Sequence, residues 1–262
     1  MTPKSDKFSD LAVRMTSAGV MAVVGVIVVW AGGLWLIALL AVVTGALVWE
    51  LSRMLGAASN RSVLLSCVAG ISLVVAWTVP SGMGLPFILL PAIAGALLLR
   101  GNRTTFMFFA VMIVVASYGL ARLRIDFGML WMMWLILVVI ATDVFGYFAG
   151  RIVGGPKFWP KVSPKKTWSG TVAGWISAAV VGFWFMQYSG VGFEIVWISV
   201  IISMASQAGD IAESAVKRKM GVKDSSNLIP GHGGVFDRFD GMLGAAVFLL
   251  LIEQLFAFPP VL

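Results

Sequence analysis

Charged side chains are scarce in this chain: Asp, Glu, Lys and Arg together make up only 12% of its 262 residues. Soluble globular domains usually carry about 25% charged residues and about 45–50% apolar residues. Here the apolar share is 60%, and the apolar residues form runs close to the ~20 residues that a helix needs to cross a bilayer. The composition excludes an ordinary soluble domain and predicts an all-α polytopic membrane protein.

Cysteine and histidine are scarcer still, since Cys67 and His232 are the sole representatives of their types. One cysteine excludes a disulfide framework within the chain, and one cysteine far from one histidine gives zinc no ligand set. The sequence also lacks the GxxxxGK[ST] phosphate-binding motif and a nucleophile elbow. Any chemistry on phosphates must therefore use another set of residues.

Eight apolar segments, the first long enough for two helices, predict about nine transmembrane helices in one integral membrane domain, residues 1–262. The segments are residues 15–49, which hold two helices divided at 31–33, and 63–79, 85–99, 106–120, 127–148, 168–188, 193–219 and 242–256. Lys and Arg collect in alternate connections, which predicts a cytoplasmic N-terminus and an external C-terminus. Arg122 and Arg124 are the exception, because this topology places them outside. The same cytosolic positivity accounts for the net charge of +7 without a nucleic-acid partner.

Acids late in two of these segments stand out, because a charge costs about 2.5–3.5 kcal/mol at the bilayer centre. Asp143 lies late in the sixth predicted helix, and Asp210 and Glu213 lie late in the eighth. The i, i+3 spacing of Asp210 and Glu213 puts both on one helix face. We expect Asp143 and Asp210 to face a polar, functional interior. For Glu213, a plain ion pair with Lys217 at the membrane surface is an equal alternative.

Two polar connections, residues 151–167 and 220–240, carry most of the remaining chemistry. In the second, a glycine-rich turn holds His232, and Asp237 and Asp240 follow at i, i+3 spacing. Carboxylates close to many basic residues suggest Mg²⁺, which proteins hold with carboxylates and substrate phosphates. In the first, Thr167 is a candidate N-cap, and Lys165 and Lys166 precede a helix N-terminus, which attracts anions. The two connections predict a site for phosphate-rich substrates, although the first alone could be a basic membrane anchor.

The segment SAVKRKMGVKDSSNLIPGHGGVFDRFD, residues 214–240, resembles the signature of bacterial phosphatidate cytidylyltransferases, also called CDP-diacylglycerol synthases. SPKKTWSG, TDVFGYFAGR and GDIAES resemble further segments of that family, so the likeness spans residues 143–240. Residues 1–142 match only as a bundle of hydrophobic helices, which predicts that residues 143–262 form the catalytic part. Ser169 departs from the family, in which many members carry Glu or Gln.

The resemblance implies the reaction CTP + phosphatidate → CDP-diacylglycerol + pyrophosphate, a step of phospholipid biosynthesis that uses Mg²⁺, with a second cation left open. It also implies a bacterial inner-membrane location with the active site facing the cytoplasm, membrane lipid around the chain and a homodimer. The implied catalytic residues are Asp210, Asp237, Asp240, His232, Lys223 and Asp224, and the implied metal ligands are Asp210, Asp237, Asp240 and Asp143. The implied phosphate-binding residues are Ser163, Lys165, Lys166, Thr167, Lys217, Arg218, Arg238, Gly233 and Gly234.

Two other functions compete with this interpretation. Intramembrane acids also occur in transporters, but the sequence shows no inverted repeat, and its acids gather towards one face. A CDP-alcohol phosphatidyltransferase would begin its motif Asp-Gly-x-x-Ala-Arg, and DGMLGA from Asp240 lacks the Ala-Arg pair. The small-residue pair Gly170 and Gly174 predicts close helix packing, either inside one chain or between two copies.

Overall fold

The computed structural model describes residues 7–80 and 83–255, and within them nine α-helices and one small sheet. The helices are α1 Lys7–Ala31, α2 Gly33–Met54, α3 Ser59–Thr78, α4 Leu85–Leu98, α5 Arg103–Ile125, α6 Met129–Ile152, α7 Trp168–Ser189, α8 Glu194–Lys219 and α9 Phe236–Leu255. The strands β1 Lys157–Trp159 and β2 Ser163–Thr167 lie between α6 and α7. The predicted number of helices is confirmed over this part of the chain.

Seven of these helices are long and apolar enough to cross a membrane, which marks a multi-pass membrane protein. The two that do not qualify are α4 and α9. Helix α4 has 14 residues and is therefore about 21 Å long, less than the ~30 Å hydrocarbon core. Helix α9 carries Asp237, Arg238, Asp240 and Glu253 within its 20 residues. Nine spans and the predicted topology thus remain predictions.

The described chain divides into two compact units by its internal contacts. The first unit contains the residues up to Val111 together with Val222–Arg238, and the second contains Met112–Gly221 with the residues from Phe239 onward. The glycine-rich segment of the family signature therefore belongs with the N-terminal helices. The predicted division between residues 142 and 143 concerns the location of the catalytic residues, not the packing of the helices, and it stays a prediction.

The first unit is built on α2, which buries Leu36, Leu47 and Leu51 and packs along α3. Small residues let these two helices approach each other. A Cβ added at Gly70 would lie 3.0 Å from the Ala41 carbonyl oxygen. Helix α1 leaves most of its apolar side chains exposed, as a lipid-facing helix would.

The second unit is built on α6, α7 and α8, which pack through small and hydroxylated residues. A Cβ added at Gly170 would lie 2.5 Å from the Gly146 carbonyl oxygen, and one at Gly174 would lie 2.7 Å from Gln207 Nε2. The pair Gly170 and Gly174 therefore packs inside the chain, which decides between the two predicted uses of this motif. Thr142 Oγ1 donates to Ser203 Oγ at 2.8 Å and ties α6 to α8.

The small antiparallel sheet corrects the all-α prediction, which read residues 151–167 as irregular. Strands β1 and β2 pair with an irregular register between Lys157 and Trp159. The Phe158 and Trp168 rings contact each other beside them, with centroids 4.7 Å apart and ring planes inclined by 59°. Strand β2 runs directly into α7, so Lys165 and Lys166 lie in the strand immediately before the helix N-terminus.

Arg122, one of the two exceptions to the charge pattern, is paired with acids at its own end of the second unit. Its Nη2 lies 2.7 Å from Glu253 Oε1 and its Nε lies 3.2 Å from Asp126 Oδ2. These ion pairs account for the local environment of Arg122. The charge pattern counts Lys and Arg alone, so Arg122 and Arg124 stay exceptions to the predicted topology.

Candidate active site

The signature segment of the first unit is organised around the start of α9. Asp237 Oδ2 accepts hydrogen bonds from Gly234 N at 2.8 Å and from Ser225 N and Oγ, both at 2.9 Å. The bond from Asp237 back to the amide three residues earlier has the spacing of a helix capping box. One carboxylate oxygen of this predicted metal ligand and catalytic residue thus holds the loop together.

Arg238 is held by the loop, and His232 contacts both Arg238 and helix α1. Arg238 donates from Nε and Nη2 to the His232 carbonyl oxygen, at 3.2 and 2.7 Å. His232 Nδ1 lies 2.8 Å from Ser17 Oγ of α1, and the same hydroxyl lies 3.0 Å from the Pro230 carbonyl oxygen. Through these contacts, the histidine and the arginine help to fix the conformation of the turn. The phosphate-binding roles predicted for Arg238, Gly233 and Gly234 stay predictions.

The remaining predicted residues of this segment, Lys223 and Asp224, are exposed. A Cβ added at Gly233 would lie 3.0 Å from Asp237 Oδ2 and 3.5 Å from the Asp224 Cβ. The backbone of the glycine-rich turn therefore approaches both aspartates closely, which a larger residue would hinder.

Sequence reasoning missed one acid of this unit, Glu50 of α2, which is completely buried. Its carboxylate accepts hydrogen bonds from Ser225 and Ser226 Oγ and from Val235 and Phe236 N, at 2.6–3.1 Å. The signal that could have revealed it is its position as a single acid inside the apolar run 33–54.

The second unit brings Asp210, Glu213 and Asp240 together. Each offers a carboxylate oxygen, and these atoms all lie within 4.8 Å of one another. Helices α8 and α9 can place them so close because Gly209 packs against Gly244 and against the Asp240 carbonyl oxygen, where a Cβ would clash. Oxygen ligands from several carboxylates suit a hard divalent cation, so this cluster could hold a metal.

Two lysines balance the cluster. Lys166 Nζ lies 2.6 Å from Asp210 Oδ2, and Lys217 Nζ lies 2.5 Å from Glu213 Oε2. The alternative considered for Glu213, an ion pair with Lys217, is therefore present, and the same side chain also belongs to the carboxylate cluster. Arg218 is exposed in the last turn of α8.

A cavity of about 570 Å³ opens beside the cluster within the second unit. Its volume is in the range of small-molecule sites. The predicted residues that line it are Asp143, Lys165, Lys166, Thr167 and Asp210, and residues not predicted that line it include Tyr147, Arg151, Lys157 and Gln207. Ser163, another predicted phosphate contact, starts β2 and is not among the lining residues. The cavity is thus lined by both acids and cations, and Lys166 and Asp210 of its wall are in direct contact.

The N-terminus of α7 forms part of this wall, and Thr167 caps it as predicted. Thr167 Oγ1 accepts from Gly170 N at 3.2 Å. Ser169, the residue that departs from the family pattern, donates to the Gly154 carbonyl oxygen at 2.5 Å. Ser169 thereby joins the turn after α6 to the start of α7. The residue at this position has a structural role in this chain.

Comparison with known proteins gives an independent view of this arrangement. The phosphatidate cytidylyltransferase of Brucella abortus (strain 2308) is 44% identical over 151 residues, which are 56% of this chain and 56% of that protein. Proteins of the same name from Haemophilus influenzae and Bacillus subtilis are 42% and 36% identical, over 50% of this chain and 50% of each relative. The chain thus spans about half the length of the curated relatives it matches.

A family pattern covers much more of the molecule. Residues 12–256 match the pattern described as the cytidylyltransferase family, from α1 through α9. The match includes Glu50 and the N-terminal helices, for which the sequence signature gave no specific likeness. Together with the relatives named above, it confirms the resemblance stated for residues 143–240: the chain belongs to the cytidylyltransferase family.

Proposed function

We propose that this protein is a phosphatidate cytidylyltransferase, which transfers the cytidylyl group of CTP to phosphatidate and releases pyrophosphate. The observation that carries the proposal is the cluster of Asp210, Glu213 and Asp240 beside a cavity lined by lysines, in a multi-pass membrane protein of this family. The reaction requires a metal-binding acidic group and cations that receive phosphates at a lipid surface.

The proposed step joins a phosphate oxygen of phosphatidate to the α-phosphorus of CTP and breaks the bond from that phosphorus to the β-phosphate oxygen. A phosphate monoester has a second pKa near ~6, so at neutral pH its oxygen is already a competent nucleophile. The chain's residues then have mainly to position two anions and offset their charge, as in other phosphoryl transfers.

Mg²⁺ bound at the carboxylates would offset the negative charge of the triphosphate and of the departing pyrophosphate. Asp210 and Asp240 are the proposed ligands that the cluster supports, with Glu213 beside them. Asp143 is proposed from its place in the cavity wall, and Asp237 enters through the sequence signature alone. Lys165 and Lys166 are proposed to receive phosphates, with Thr167 and the amides of α7 beside them.

The further parts of the proposal follow from the family and from the charge pattern. We propose a location in the inner membrane of a bacterium, with the site open to the cytoplasm, and residues 143–262 as the part that carries most of the chemistry. A homodimer and a second cation are proposed on the resemblance alone.

Purified protein in detergent with phosphatidate tests the activity directly. Pyrophosphate release is measured with CTP, ATP, GTP and UTP, each with Mg²⁺ or with EDTA. We expect release only when CTP, phosphatidate and Mg²⁺ are present together. Folded protein that releases no pyrophosphate with any nucleotide would overturn the proposal, and a flux assay in proteoliposomes would then test transport.

A further inference from the structure

Glu50 is a buried acid that the proposed reaction leaves unused. It lies in α2, its side chain is 0% exposed, and the helix around it is apolar. Burying a carboxylate is costly unless hydrogen bonds replace its lost water. The surroundings of Glu50 must therefore provide those bonds.

Among the residues that the structure describes, the four hydrogen-bond donors to Glu50 all lie in the signature segment of the same unit. Oε1 accepts from Ser226 Oγ at 2.6 Å and Val235 N at 2.8 Å, and Oε2 accepts from Phe236 N at 2.7 Å. The single proton of the Ser225 hydroxyl is shared between Glu50 Oε2, at 3.1 Å, and Asp237 Oδ2, at 2.9 Å. These donors follow Glu50 by 175–186 residues in the sequence. A single carboxylate thus joins an N-terminal helix to the segment that carries His232 and Asp237.

Two of the donors are backbone amides at the start of α9. The first amides of a helix have no partner within the helix, and a negative charge there is favourable. Glu50 supplies the acceptors for Val235 and Phe236, and Asp237 supplies one for Gly234. Glu50, which lies in α2, therefore caps two of the amides at the N-terminus of α9.

Gly234 shows how closely the segment fits this acid. A Cβ added there would lie 2.7 Å from Glu50 Oε1 and would overlap Ser225 Oγ. Only glycine allows the backbone to reach the carboxylate. This explains physically why the HGG sequence ends with a residue that has no side chain.

We propose that Glu50 is a positioning residue, whose carboxylate holds residues 225–236 in the conformation that the reaction needs. It acts through Ser225, Ser226 and the start of α9, and it does not touch substrate. The kinetic part of this inference rests on the proposed function, whereas the structural part concerns the order of the segment and can be measured without any substrate.

The test uses the full-length variant Glu50→Gln. The glutamine amide has one acceptor oxygen and one NH₂ group. In Glu50→Gln, the NH₂ group would face two of the donors that bond to a carboxylate oxygen in the wild type. We expect kcat/KM for CTP to fall about 10- to 100-fold, the equivalent of one lost hydrogen bond to a charged group. We also expect faster hydrogen–deuterium exchange in residues 225–236, with exchange in α6 and α7 unchanged.

Ser226→Ala provides a graded variant, since it removes one of the four donors and leaves the acid in place. Because Ser226 Oγ also accepts from Leu228 N at 3.0 Å, the exchange of the Leu228 amide is left out of the comparison. We expect a smaller loss of activity and a smaller, equally local increase in exchange. Ser52→Ala is the matched control, because Ser52 is buried in the same helix and donates within that helix, to the Trp49 carbonyl oxygen. It should behave as the wild type in both measurements.

The outcomes separate this inference from the proposed function. Wild-type protein without cytidylyltransferase activity would refute the function, and the exchange comparison would still decide whether Glu50 holds the segment. Active wild-type protein with unchanged exchange at 225–236 in Glu50→Gln would refute the positioning role, whatever its rate. If Glu50→Gln does not fold, Ser226→Ala decides in its place, and unchanged local exchange in that variant overturns the inference.

Discussion

At the scale of single residues, the acids of the signature loop in the first unit and those of the cluster in the second unit have different partners. Glu50 and Asp237 in the first unit accept hydrogen bonds from backbone amides and serine hydroxyls, so they shape a loop. Asp210 and Glu213 in the second unit face lysines and share a cluster with Asp240. Backbone amides fix one conformation, whereas mobile lysine ammonium groups can yield to a cation or to a phosphate.

This difference leads to a prediction for Asp240→Asn. The change removes one of three clustered carboxylates, so we expect the Mg²⁺ concentration for half-maximal activity to rise and the maximal rate to fall. Activity should fall at least about 10-fold, because changing a residue that only supports a metal ligand typically costs about 10–100-fold in metal affinity or activity. Pyrophosphate release measured against Mg²⁺ concentration gives both quantities.

Asp126→Asn is the matched control, because it makes the same change of charge at an exposed acid paired with Arg122. It should keep the wild-type dependence on Mg²⁺. A dependence equally altered in both variants would mean that total charge, and not the cluster, governs the response to the metal.

At the scale of elements, glycines decide how near the site-bearing helices come. Gly209 of α8 lies against the backbone of α9 at Asp240 and Gly244, and Gly170 of α7 lies against α6 at Gly146. Each contact brings functional side chains together, because the residues beside these glycines are Asp210 in one case and the capped start of α7 in the other. Small residues at helix crossings are the usual device for close packing in membranes.

Gly209→Ala should therefore lower both stability and activity. The new methyl group would clash with the Asp240 carbonyl oxygen and lie 3.1 Å from the Gly244 Cα. Overpacking of this kind typically costs about 1–3 kcal/mol, and here it would also move Asp240 away from Asp210. Thermal unfolding in detergent and the rate of pyrophosphate release measure the two effects.

Gly25→Ala supplies the comparison, since a Cβ at Gly25 of α1 meets nothing within 4 Å. It should be neutral or slightly stabilising, because alanine favours helix more than glycine does. Equal losses in the two variants would contradict the close-packing explanation.

The features that the sequence predicted well are local ones. Apolar runs and glycine breaks define the helices, and the N-cap at Thr167 depends on residues three positions apart. Contacts between segments that are far apart in the sequence could not be predicted. Nothing in the run 33–54 indicates that Glu50 meets donors at 225–236, and the prediction of Asp237 as a metal ligand did not foresee its bonds to Ser225 and Gly234. The hairpin of β1 and β2 was missed because its strands are only three and five residues long and the second contains Pro164, a residue that is rare within sheets.

At the scale of the whole molecule, the charge pattern and the helix lengths together bear on how the chain lies in a membrane. Five basic residues lie at 151–166, in the last turn of α6 and in the connection after it, while the connection after α7 has none. Arg122 and Arg124 are the exceptions to the charge pattern. Positive charge in alternate connections is the main determinant of orientation, and it predicts that the connection after α6 lies in the cytoplasm.

Cysteine labelling tests this orientation within the second unit. Lys161 and Phe193 are both exposed and are separated by one helix, α7, which has 22 residues and is thus about 33 Å long. In a Cys67→Ala background, Lys161→Cys and Phe193→Cys each provide one thiol. With a membrane-impermeant maleimide, we expect Phe193→Cys to react in intact cells and Lys161→Cys to react only after the membrane is opened. Labelling of both in intact cells would show that α7 does not cross, and the reverse pattern would place the lysine-lined cavity on the side away from cytosolic CTP.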